Sequence, residues 1–205
     1  MASNNYIYKM SNAGGMATVT RYTDMLAGNT TWNPWEPQGA YDALSTVTVP
    51  SGGVASITFA AIPNTYKHLQ VRAFAKDSTA GNGDLRWQFN GDTATNYTFH
   101  ELYGNGASAS SFGYGGTAYG NLSNWASATG ATSQFSVAVI DLLDYADTNK
   151  FTTGRALGGR DNNGSGTVEL ASMSWRNTAA VSSINLFLTT GNIAQFSQFT
   201  LYGVK

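Results

Sequence analysis

From Leu44 to the C-terminus the apolar residues of this chain recur at every second position, in short runs broken by Gly, Asn, Asp and Pro. That period constrains the fold more than any other feature, because it puts successive side chains on opposite faces of an extended strand. The clearest run is Tyr66 to Lys76. There Leu69, Val71, Ala73 and Ala75 share one face, and His68, Gln70, Arg72 and Lys76 the other, with Phe74 an aromatic on the polar side. Ile57 and Phe59 alternate with Ser56 and Thr58, and Leu85, Trp87 and Phe89 alternate with Arg86, Gln88 and Asn90. Ser51-Gly52-Gly53, Pro63-Asn64, Asn90-Gly91-Asp92 and Asp161 to Gly166 read as turns. Gln134 to Leu143 has the strongest strand signal but changes phase near Val139 and Ile140, which predicts a β-bulge or a crossing between faces.

Lys150 to Leu157, Thr167 to Arg176, Ser183 to Thr189 and Phe196 to Val204 extend the pattern to the end of the chain. The expectation is an all-β fold: an antiparallel, jelly-roll-like β-sandwich of about ten strands, with no helix longer than a turn. Gly104 to Gly130 is dominated by Gly, Ser, Ala and Asn but still carries Phe112, Tyr114, Tyr119, Leu122 and Trp125. A flexible linker would lack those rings, so this stretch reads as an ordered long loop with at most a short edge strand.

Ahead of Leu44 no period is held. The chain therefore divides into an N-terminal arm over residues 1–43 and a β-sandwich domain over 44–205. Asp24 to Gly28 could form one helical turn closed by its glycine. Trp32-Asn33-Pro34-Trp35-Glu36-Pro37 cannot be helix or central strand. An isolated arm could not bury Tyr6, Tyr8, Met16, Tyr22, Met25, Trp32 and Trp35, and leaving them in water is costly. Either the arm folds back on the β domain or it docks on another chain, and the second reading makes these seven the assembly residues.

Composition narrows the function. Charged residues are only 11% of the 205, against a usual quarter, so Ser, Thr, Asn, Gln and Gly must cover the surface. Such a surface suits permanent packing against protein, or contact with sugars. A net charge of -1 and 11 scattered Lys and Arg argue against nucleic acid. With no cysteine, disulfides, thiolate nucleophiles and Cys-based zinc sites are excluded. The first twenty residues lack the basic and apolar regions of a secretory signal, and no run is long enough for a membrane helix.

The carboxylates that bear on catalysis are Asp141, Asp144, Glu101 and Glu169, since glycoside hydrolysis needs two across a cleft. Turn-capping by Asp144 and strand-ending by Asp141 account for that pair more simply. His68 and His100 lie far apart in sequence, and Asp161 to Gly166 lacks the alternating ligands of a calcium loop. The expectation is no enzyme, no catalytic residue, no metal and no cofactor. Tyr103, Phe112, Tyr114, Tyr119 and Trp125 are the more informative group. Their rings beside Asn121, Asn124 and Ser111 suit local core, a subunit interface or glycan contact.

Several blocks carry a resemblance: Ser11 to Asn29 in the arm, Ile57 to Arg72, Phe89-Asn90-Gly91-Asp92 with Asn96-Tyr97, Val139-Ile140-Asp141-Leu142 with Asp144-Tyr145, and Phe199 to Lys205. Together they resemble a group of small virion structural proteins of tailed bacteriophages, of the tail-fibre or appendage type. The resemblance implies an N-terminal attachment arm that binds other virion proteins, and a displayed C-terminal β-sandwich. It also implies location in the virion after synthesis in the host cytoplasm, and homo-oligomers, commonly trimers. Host-surface glycan is the expected external ligand, with neither nucleic acid nor membrane insertion. A capsid decoration or cement protein is the nearest alternative; a free carbohydrate-binding module and a glycan hydrolase are alternatives of another class.

Overall fold

The computed structural model describes residues 40–79, 82–127 and 133–205. The arm residues Tyr6, Tyr8, Met16, Tyr22, Met25, Trp32 and Trp35, and the helical turn expected over Asp24 to Gly28, lie outside the described residues. The compact β unit runs Ala40–Lys205, and its first strand starts at Tyr41, a little ahead of the expected boundary.

The described chain is all-β and contains no helix. Its twelve strands are β1 (Tyr41–Thr48), β2 (Ser56–Phe59), β3 (His68–Ala75), β4 (Asn82–Phe89), β5 (Tyr97–Gly104) and β6 (Ala109–Thr117), then β7 (Gly120–Ser127), β8 (Ser136–Leu143), β9 (Thr152–Asp161), β10 (Gly166–Trp175), β11 (Ile184–Leu188) and β12 (Gln198–Val204). They form an eight-stranded sheet in the order β1-β12-β3-β8-β9-β10-β5-β6 and a four-stranded sheet in the order β2-β11-β4-β7. Every pairing is antiparallel.

The alternation read from the sequence is what builds the core. Leu69, Val71, Ala73 and Ala75 of β3 are all buried, with Ile140 and Leu142 of β8 and Phe199 and Leu201 of β12 beside them. From the smaller sheet, Phe59, Leu85, Trp87, Phe89, Ile184 and Leu186 join the same apolar cluster. Aromatics fill its far end, where polar ring atoms find partners. The Trp175 indole N–H donates to Asp92 at 2.7 Å, and the Tyr97 hydroxyl accepts the Phe89 amide at 2.9 Å. Burial pushes the Tyr97 phenol up to about 12.

Two expectations are corrected. The glycine-rich stretch contains two full strands, β6 and β7, where one long loop was expected. β7 lies close against the larger sheet: a Cβ on Gly158 of β9 would stand 2.5 Å from the Leu122 side chain and 2.9 Å from the Trp125 ring. Nor does β8 contain a bulge. It alternates without interruption, Ala138, Ile140 and Leu142 inward, and pairs with β3 and β9 without a register shift. The apparent phase change arises because its outward residues Val137, Val139 and Leu143 are apolar too. Register shifts occur instead between Ala43 and Ser45, between Gly83 and Leu85, and between Tyr97 and Thr98.

Candidate functional site

A cleft of about 410 Å3 opens where the β5–β6 hairpin faces the edge of the smaller sheet. Its walls are Asp84 and Arg86 of β4, Phe99 of β5, Phe112, Tyr114 and Thr117 of β6, Tyr119 in the turn that follows, and Asn121 and Ser123 of β7. The size falls within the range of small-ligand sites.

Arg86 organises one wall. Its position on β4 lies opposite Asn121 of β7, so a cross-strand contact follows from the register. The guanidinium carbon lies 3.7 Å from the Tyr119 ring centroid, a cation–π stack. Its Nε donates to Asn121 Oδ1 at 3.2 Å, and one terminal nitrogen stands 3.5 Å from the Asp84 carboxylate. Asn121 then donates from its amide nitrogen to Glu101 Oε1 at 3.0 Å and meets Ser123 Oγ at 2.7 Å. The Ser123 backbone N–H donates to Glu101 Oε2 at 3.2 Å, so a buried carboxylate satisfies a main-chain donor on the unpaired edge of β7. The arrangement is a pre-set polar array: each side chain is held by the next.

The opposite wall is aromatic. Phe99 and Tyr114 approach with centroids 5.5 Å apart, Phe112 and Tyr114 at 5.9 Å, and Tyr103 and Phe112 at 6.2 Å, edge to face. Tyr114 is 57% exposed, so its ring and hydroxyl are open to a ligand.

Of the five aromatics singled out in the sequence, the fold brings Phe112, Tyr114 and Tyr119 to the cleft, with Tyr103 packed edge to face against Phe112. Trp125 does not belong with them. It is 0% exposed, and its indole N–H donates to the Val137 carbonyl at 2.7 Å, so it offers no ring face to a glycan. Arg86 and Asp84 were not singled out from sequence. The available signal was a charged residue alternating with Trp87 on a strand, which describes most solvated strands equally well.

None of Glu101, Asp141, Asp144 and Glu169 lines the cleft. Glu101 and Glu169 are 3% and 1% exposed. Pairing of Glu101 with Ala171 and of Glu169 with Tyr103 makes them diagonal neighbours on the inner face. Burial pushes the Glu169 carboxyl up to about 8, with Thr167 pulling the other way, Glu101 adding like charge and Arg160 opposing it. Neither Glu169 oxygen has a hydrogen-bond partner among the described residues. Asp141 lies mid-strand, accepting from Gln70 at 2.7 Å and pairing with Arg155 at 3.0 Å. Asp144 sits in the following turn, where hydrogen bonds from Lys150 and Lys67 hold its carboxyl down at about 2. Among the described residues no cluster of His, Cys, Asp and Glu could hold a metal, and no helix is long and apolar enough to cross a membrane.

In comparisons with known proteins, no family model, no curated protein and no solved structure matches the chain.

Proposed function

We propose that this chain is a bacteriophage virion structural protein, a fibre or appendage anchored by its N-terminal segment and displaying a jelly-roll β-sandwich that contacts host-surface glycans. The jelly-roll reading is supported by strand order. In the succession β1-β12-β3-β8 opposite β2-β11-β4-β7, strands early and late in the chain pair from the outside inward. Hairpins β5–β6 and β9–β10 extend the first sheet as insertions. Jelly rolls are a common scaffold of viral and sugar-binding domains.

One observation carries the binding reading: the cleft sets the Arg86–Tyr119 stack, held from behind by the buried Asn121, opposite the exposed Tyr114 ring. Sugars present apolar ring faces edged by hydroxyls, and aromatic faces beside fixed polar groups recognise both at once. We read the domain as non-catalytic, a reading supported by the burial of Glu101 and Glu169 and by the ion pairs that engage Asp141 and Asp144.

Glycan-array binding by the full chain, compared with Tyr114→Ala and Arg86→Ala, tests this reading. Binding to a defined set of surface glycans that falls at least about tenfold in both variants is expected, equivalent to losing about 1.4 kcal/mol. Binding that survives both substitutions, or none in the unaltered protein, would overturn it.

A further inference from the structure

The outer face of the eight-stranded sheet carries a band that a solvated strand face would not keep. Val139 of β8, Leu157 of β9, Leu170 of β10 and Leu102 of β5 stand directly opposite one another in register, forming a row across the sheet. A second row runs beside it through Val137, Gly159, Val168, Gly104 and Ala109. Leu157 is 55% exposed, and Leu102, Val137, Val168 and Leu170 are comparably bare. At one end, Phe74 stacks on Phe135 with centroids 4.7 Å apart. A sheet face turned to water normally alternates to polar residues, and here it does not.

We infer that this band is the surface on which copies of this chain pack against one another. Three properties of the face select a second copy as its occupant. First, the face carries both projections and hollows. The projecting Leu and Val side chains stand beside shallow hollows of about 260 and 360 Å3, the smaller bordered by Gly104 and Ala109. Knobs on one copy therefore have hollows to enter on another.

Second, it is self-complementary in charge. Asp141 and Arg155 on its border neutralise each other at 3.0 Å, and Arg72, opposite Val139 at the end of the first row, is held over the Tyr202 ring at 4.6 Å. A net charge of -1 also leaves little repulsion between copies.

Third, the extent is adequate. Strands about 4.8 Å apart and same-face residues about 6.8 Å apart give a band of about 400 Å2 from Phe74 to Ala109. That is within the range of a monomer's largest exposed patch, which is often functional, and about half of the roughly 800 Å2 that each partner contributes to a stable interface.

The inference rests on the sheet face alone and holds whatever the cleft binds. Loss of glycan binding with self-association intact would sink the first proposal and leave this one standing.

Sedimentation of the full chain across a concentration series tests it, with the double variant Leu157→Asp/Leu170→Asp and the control Ser56→Asp on the smaller sheet. The unaltered chain and the control are expected to run as the same oligomer. The double variant should run as a monomer with unchanged circular dichroism. A monomeric unaltered chain, or an oligomer that survives the double substitution, would overturn the proposal. Because the chain has no cysteine, Leu157→Cys and Ser56→Cys provide a second readout with a short bis-maleimide. Cross-linking between copies is expected through Leu157→Cys; cross-linking through Ser56→Cys alone would contradict the assigned face.

Discussion

Glu169 and Trp125 show how differently two buried residues of this core behave. Glu169 is an acid without a hydrogen-bond partner among the described residues, and its folded-state pKa of about 8 lies above the ordinary 4.5. Between those values the folded protein holds a proton that the unfolded chain has lost, so this residue's contribution to stability is full below pH 4.5 and fades as pH rises towards 8. Glu169→Gln should therefore stabilise the fold by on the order of a few kcal/mol at pH 8 and change little at pH 5. Chemical denaturation at the two values measures this, and equal effects at both would count against a neutral Glu169. Trp125 is ordinary core by contrast. Trp125→Ala should cost about 3–5 kcal/mol, whereas the exposed Tyr114→Ala should cost about 0.5 kcal/mol or less. Thermal unfolding of the two variants separates a packing residue from a displayed one.

At the scale of elements, β7 approaches β9 closely. Gly158 leaves no room for a side chain against Leu122 and Trp125. Gly158→Val should cost at least about 1–3 kcal/mol and raise amide exchange along β7 more than along β3, which sits deep in the larger sheet. Uniform loosening of both strands would argue that β7 is not held by this contact.

The same strands mark the limit of what was legible in the sequence. Runs with one apolar and one polar face, such as Leu69 to Ala75, declared themselves through a period of two. The strands β6 and β7 did not, because Gly and Ala have weak strand preference and give no apolar period of two. In β8 both faces are apolar, and a two-faced strand in sequence looks like a change of phase. Phe74 and the phase change near Val139 and Ile140 stood out as irregularities, and Phe74 and Val139 lie on the outer apolar band. For the cleft, the rings were legible as a cluster in sequence. Arg86 was not, since its partners Tyr119 and Asn121 meet it only through the β4–β7 pairing.

Across the whole molecule, the two proposals assign different surfaces to different tasks. The cleft lies between β4, β7 and the β5–β6 hairpin, whereas the apolar band lies on the outer face of β8, β9, β10 and β5. Self-association through the band would leave the clefts free, so several would act together on a glycan-bearing surface and raise avidity beyond one cleft's affinity. The central claim is that this module is carried on a virion. Quantitative mass spectrometry of gradient-purified phage particles tests it most directly. The chain should be present as a minor component, far below the major capsid protein, with peptides from both the N-terminal segment and the β domain. Its absence from purified particles would contradict the account.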